Sequence, residues 1–155
     1  MQNSESLIDI LNELVQVNND RITGYAKAAE EIDPDDTDLK NIFHKMASDS
    51  RENVKELSQL IEKSGGDVSR ETTVPGNIYR AWMDVKAAFT GSGRKSILSL
   101  CEYGEDAAQK SYEEVLASDA EIDAESRQLI MSQKSALKES HNIIKKYRDM
   151  QEPVS

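Results

Sequence analysis

The sequence predicts an all-α protein, a bundle of four long helices in a single domain over residues 1–155. In four long segments, apolar residues recur at steps of three, four and seven, which is the spacing of one face of a helix. The 155 residues include only 7 Gly and 3 Pro, too few for an all-β protein with many tight turns. A chain of this length corresponds to one domain with a substantial core.

The first predicted helix covers residues 4–32. Its apolar side chains fall on one stripe at helical spacing. The helix ends before Pro34, because proline pushes the preceding residue out of the helical region. The stripe consists of Leu7, Leu11, Leu14, Ile22, Tyr25, Ala29 and Ile32.

The second predicted helix covers residues 37–63, and Asp36 or Thr37 can cap its first turn. Ser64-Gly65-Gly66 ends it, because glycine adopts the left-handed conformation that closes many helices. Its stripe consists of Leu39, Ile42, Phe43, Met46, Val54, Leu57 and Ile61.

A long connection, residues 64–94, follows the second helix. It begins with a stretch that has no periodicity, and it then contains a predicted short helix over residues 77–90. Gly91-Ser92-Gly93 ends that short helix. Its apolar side chains are Ile78, Trp82, Val85 and Phe89.

The last two long helices are predicted over residues 95–117 and 124–149, with Asp123 as the cap of the second. The loop between them is short. The inward residues predicted for the first are Leu98, Cys101, Ala108, Tyr112, Val115 and Leu116. Those predicted for the second are Leu129, Ala136, Leu137, Ile143, Ile144 and Tyr147.

The lengths of the connections predict the topology. Short loops make the first and second helices antiparallel neighbours, and likewise the third and fourth. The connection of residues 64–94 is long enough to return along the bundle, which would make the second and third helices parallel. A bundle with one such crossover has the ferritin-like arrangement. The alternative is a connection that makes an excursion and returns at the same end.

Composition excludes several classes of function. The formal charge of −10 and the pI of about 4.7 disfavour nucleic-acid binding, because such a chain repels phosphate. No apolar run approaches the roughly 20 residues of a membrane helix, and we predict no membrane association. Residues 1–6 lack the basic and apolar regions of a secretory signal. A single cysteine, Cys101, is compatible with a reducing cytoplasm, which we expect as the location.

Polar residues that interrupt the apolar stripes identify candidate functional positions. At 100° per residue, they form a predicted polar layer in the interior of the bundle. With the crossover topology, Glu105 falls near the height of Tyr25 and His141. The members of this layer other than Glu105 are Asn18, Arg21, Tyr25, Ser50 and Gln133.

A buried Glu105 carboxylate would cost several kcal/mol unless something compensates its charge. Three kinds of partner are available in the sequence. One is a metal ion, and another is an ion pair with a basic residue. The third is a set of hydrogen bonds from neutral side chains. The basic candidates are Arg21, Arg51 and Lys138, and the neutral ones are Tyr25, Gln133 and His141.

A complete di-iron site is absent from the sequence. Such a site needs Glu-x-x-His on two helices, and neither His44 nor His141 has a glutamate three residues before it. A reduced site for iron or another divalent metal, made by Glu102, Glu105 and His141, is the remaining metal hypothesis. Glu102 and Glu105 are three residues apart and share one side of a helix.

The short helix of residues 77–90 carries Arg80, Trp82 and Lys86. One interpretation is an anchor, in which Trp82 packs inward and the basic residues pair with acidic neighbours. The other is a protein-contact surface around Trp82, because tryptophan is enriched at interfaces.

The strings that carry a family resemblance are Gly24-Tyr25, Ala28-Ala29-Glu30, Arg80-Ala81-Trp82 with Lys86, Thr90-Gly91, Cys101-Glu102-Tyr103-Gly104-Glu105-Asp106-Ala107, Tyr112-Glu113-Glu114, and Gln133 with His141. With these strings the chain resembles a bacterial family of ferritin-like four-helix-bundle proteins that is described as a domain of unknown function. The resemblance covers nearly the whole chain and is strongest in residues 76–116.

The resemblance implies a crossover bundle in a bacterial cytoplasm with a stress-related role, and it implies no established activity. The family pattern has glutamate at Glu102 and Glu105 and histidine at His141. Asn142 stands where that pattern has an acidic residue, which weakens any site that uses it.

Three hypotheses of function follow. The leading one is a non-catalytic, ferritin-like bundle that acts as a stress-associated or scaffolding protein and forms a homo-oligomer. The second is an iron-handling protein or oxidase that uses Glu102, Glu105 and His141. The third is an adaptor that binds a protein partner through Trp82.

Overall fold

The structure is a computed structural model that describes residues 2–69 and 94–150, with side chains from residue 7 onward. Within these ranges it contains four helices and no strand, which confirms the all-α bundle. The helices are α1 (Gln2–Glu31), α2 (Thr37–Lys63), α3 (Arg94–Leu116) and α4 (Ala124–Asp149). Each bound lies within two residues of its predicted position. The predicted short helix of residues 77–90 lies outside the described residues.

The two ends of α2 show how local sequence fixes a helix. At its C-terminus, Gly65 has φ +86°, and the amides of Gly65 and Gly66 donate to the carbonyls of Glu62 and Ile61. These are the two bonds of a Schellman motif, so glycine plays its predicted role. At the N-terminus, Asp36 occupies the capping position without a side-chain capping bond, and its carboxylate lies 2.7 Å from Arg94 Nη1 instead.

Asp123 caps α4 as predicted, since its Oδ2 accepts a hydrogen bond of 3.2 Å from the Ser126 amide. We expect Asp123→Ala to lower the free energy of unfolding by about 1 kcal/mol at pH 7, measured by urea denaturation. The Ser126 bond lowers the pKa of Asp123, so the part of this contribution that depends on the carboxylate charge is present above pH of about 4 and is lost on further acidification. Asp119→Ala, in the same loop, is the control, and an equal loss there would contradict the capping role.

All neighbouring helices are antiparallel. Along α1, Asn18 bonds to Tyr112 of α3 while Tyr25, further on, bonds to Glu105, so the two helices run in opposite directions. Cross-helix bonds give the same result for the pairs α1–α2, α3–α4 and α2–α4. The helices α2 and α3 therefore run parallel across the diagonal. The connection between them joins opposite ends of the bundle, and the alternative of a return at the same end is wrong.

The core consists of two apolar clusters, one towards each end of the bundle, with polar side chains between them. The first cluster includes Tyr25, Ala28, Ile32, Leu39, Phe43, Met46, Ile97, Leu98, Cys101 and Ile144. The second includes Leu11, Leu14, Val15, Leu57, Ile61, Ala108, Tyr112, Val115, Ile130 and Leu137. None of the helices described combines the length and apolarity required to cross a bilayer.

The buried face of α4 is rotated from the predicted one. Ala136 is exposed and Ile143 is 40% exposed, although both were predicted to face inward. Adjacent residues on a helix diverge by about 100°, and on α4 the packing buries Leu137 and Ile144 while their apolar neighbours Ala136 and Ile143 face solvent. The residues of α4 that face the core are Ser126, Ile130, Gln133, Leu137, Ser140 and Ile144.

Candidate functional site

Glu105 lies in the interior of the bundle, where it is 1% exposed, and it forms an ion pair with Arg21. Arg21 Nη2 donates to Glu105 Oε2 across 2.7 Å, and Arg21 itself is 2% exposed. The hydroxyl of Tyr25 donates to the same oxygen through a short hydrogen bond. A full positive charge and a neutral donor thus compensate one buried carboxylate oxygen.

The guanidinium of Arg21 is held by groups from two helices. Its Nη1 donates to Ser50 Oγ of α2, and its Nη2 lies 3.9 Å from Met46 Sδ. Its carbon Cζ lies 5.3 Å from the centroid of the Tyr25 ring, which is a cation–π distance. The same ring packs on Phe43 at 5.8 Å between centroids. These contacts hold the guanidinium in the orientation in which it pairs with Glu105.

Two of the three predicted kinds of partner therefore act together on Glu105, the ion pair and the neutral hydrogen bond. Arg51 and Lys138, the other basic candidates, are exposed. Glu105 Oε1 is buried and accepts no hydrogen bond from the residues described. The described contacts of the carboxylate are therefore concentrated on Oε2.

A second polar network crosses all four helices beside the first. Asn53 donates to Asn18, Asn18 donates to the hydroxyl of Tyr112, and Tyr112 donates to Gln133. Gln133 in turn donates to a carboxylate oxygen of Glu56, 3.1 Å away. Burial raises the pKa of Tyr112, which keeps its hydroxyl protonated and able to donate. Asn18 and Gln133 of the predicted polar layer belong to this network.

His141 does not join Glu105. Its Nε2 lies 2.7 Å from Asp106 Oδ1 and 3.7 Å from Glu102 Oε2. Glu102 also pairs with Arg148 near the end of α4 through a short contact. Asp106 was not among the predicted metal ligands. Its spacing could have indicated it, because Glu102 and Asp106 are four residues apart and lie on the same face of α3.

Glu102, Asp106 and His141 form a set whose ligand atoms all lie within 4.8 Å of one another. Two of these three residues, Glu102 and His141, belong to the predicted metal set, and Glu105 points to Arg21 instead. Arg80, Trp82 and Lys86, the predicted contact residues, lie outside the described residues. Cys101 is buried in the core.

The model of the family named Domain of unknown function (DUF2383) matches residues 6–118, well over half of the chain. The chain belongs to the DUF2383 family. The match includes Arg21, Tyr25, Ser50 and Glu105, and it ends before α4, so His141 lies outside the DUF2383 region. No curated protein matches the chain significantly.

Proposed function

We propose that this DUF2383 member is a non-catalytic, ferritin-like bundle with a scaffolding role, in which the polar interior is a structural element. The ferritin-like assignment is supported by the parallel α2 and α3 and the single long crossover between them. The homo-oligomeric state and the stress-associated setting, which the resemblance implies, are part of the same proposal.

The observation that carries the proposal is the Arg21–Glu105 ion pair. A di-iron bundle brings a carboxylate from each helix to the same point, and the ions supply the positive charge. Here the positive charge beside Glu105 is the guanidinium of Arg21, 2.7 Å away. An iron ion at Glu105 would have to displace that guanidinium. The groups on α2 that contact the guanidinium, Ser50 and Met46, are poor replacements for the carboxylate ligands of iron. These donors do not fit a ferroxidase centre.

Metal analysis and oxygen uptake test this proposal. We expect protein from iron-rich medium to contain no iron that depends on Glu105, and to consume no oxygen above buffer when Fe²⁺ is added. Glu105→Gln is the diagnostic variant, because it keeps the shape of the side chain and removes the charge. Stoichiometric iron and oxygen consumption that are both lost in Glu105→Gln would overturn the proposal.

A further inference from the structure

We propose that Glu102 and Asp106 of α3 and His141 of α4 bind one divalent transition-metal ion at the surface of the bundle. This site is separate from the interior around Glu105 and goes beyond the scaffolding role. The three residues project from two packed antiparallel helices, so the backbone that carries them is rigid.

The distances suit such an ion after a small adjustment. A tetrahedral ion with ligand bonds of about 2.0–2.2 Å separates its ligand atoms by about 3.3–3.6 Å. The distance from His141 Nε2 to Glu102 Oε2 is already 3.7 Å, whereas that to Asp106 Oδ1 is 2.7 Å and must lengthen. The side chain of Asp106 is 65% exposed, so it can rotate without disturbing the core.

Two neighbouring side chains orient the ligands, as outer groups do in metal sites. His141 Nδ1 lies 3.3 Å from Asn142 Oδ1, which can accept a hydrogen bond from Nδ1–H. That bond favours the tautomer whose Nε2 lone pair faces the two acids. Arg148 holds Glu102 Oε1, which leaves Oε2 on the side of His141.

The charges leave room for a cation. Glu102 and Asp106 carry two negative charges, Arg148 shares its single positive charge between Glu102 and Asp149, and an imidazole that binds a metal adds no charge. The net negative charge attracts a divalent ion, while Arg148 keeps the affinity below that of a site with no positive neighbour. One imidazole and two carboxylates suit Zn²⁺ and Co²⁺, and three protein ligands leave a position open to water. The competing arrangement is a protonated His141 in an ion pair with the same two acids.

Calorimetric titration of the tag-free full chain with Zn²⁺ tests the site. We expect one ion per chain in the wild type. We expect binding about tenfold weaker or worse in His141→Ala and in Asp106→Asn, because even outer groups of a metal site are worth 10-fold to 100-fold in affinity. His44→Ala is the matched control, since His44 is the other histidine of the chain and is exposed on α2. Visible absorption of bound Co²⁺ reports the coordination geometry independently.

Unchanged Zn²⁺ binding in His141→Ala and Asp106→Asn, or no binding by the wild type, would overturn the site in favour of the ion pair. Circular dichroism of each variant confirms that the helices are intact, and Asp106→Asn alters only an exposed side chain. Glu105→Gln separates this proposal from the scaffolding role. If the surface site exists, Glu105→Gln leaves Zn²⁺ binding unchanged. The iron content and oxygen uptake of the same variant test the scaffolding role separately.

Discussion

Replacing Arg21 by methionine should lower the free energy of unfolding by about 3–5 kcal/mol. The variant keeps a long side chain in the interior but leaves the Glu105 carboxylate buried without its positive partner. The hydroxyl of Tyr25 remains as a donor, but a neutral donor does not replace a full charge. Urea denaturation followed by circular dichroism at pH 7 measures the loss.

Two further variants show whether the loss comes from the unpaired charge. Arg51→Met changes an exposed arginine on α2 and should alter stability by no more than about 0.5 kcal/mol. The double variant Arg21→Met with Glu105→Leu should recover most of the loss, because apolar replacement of a buried ion pair is often neutral. An Arg21→Met loss below about 1 kcal/mol, or a double variant as unstable as the single one, would contradict the desolvated ion pair.

The helices could be predicted from the sequence because their signals are local. Pro34 and Gly65-Gly66 mark boundaries through the backbone geometry that proline and glycine favour at their own positions. The face that α4 buries has no such local signal, because Leu137 and Ile144 each have an apolar neighbour one residue away. Packing against α2 and α3 decides which of two such neighbours is buried, and the periodicity of the sequence does not contain that information.

The partners of Glu105 show where sequence reasoning ends. Burial of Glu105 follows from its place on the apolar stripe, and burial requires compensation. The sequence offers three cations at comparable heights, so the choice of Arg21 depends on helix rotation and side-chain reach. His141 shows the same limit, because a rotation of α4 directs it to Glu102 and Asp106 on the outside of α3.

The two polar networks lie side by side in the middle of the bundle, between its two apolar clusters. Arg21 and Asn18 are successive inward positions on α1, so one register of α1 against α3 must serve both Glu105 and Tyr112. A shift of one helical turn would separate both pairs and leave polar groups buried without partners. We infer that the networks fix the relative heights of the helices, a role that does not require a reaction.

Tyr112→Phe tests the second network, because this variant removes one hydroxyl from the interior. That hydroxyl donates to Gln133 Oε1 at 2.7 Å and accepts from Asn18 Nδ2 at 2.9 Å. We expect the free energy of unfolding to fall by about 1–3 kcal/mol, because both partners stay buried while losing a bond. Tyr103→Phe, at a tyrosine that is 45% exposed on the same helix, should change it by no more than about 0.5 kcal/mol.

The dependence of this loss on pH provides a stricter test. Burial raises the pKa of Tyr112 in the folded state, so the hydroxyl ionises first in the unfolded chain. Above pH of about 10, the unfolded wild type therefore releases a proton that the folded wild type keeps, and its stability declines. The phenylalanine variant has no such proton, so the difference between the two proteins should be constant from pH 6 to 9 and should narrow above pH of about 10. A difference that widens there would mean that the Tyr112 hydroxyl is not enclosed by the four helices.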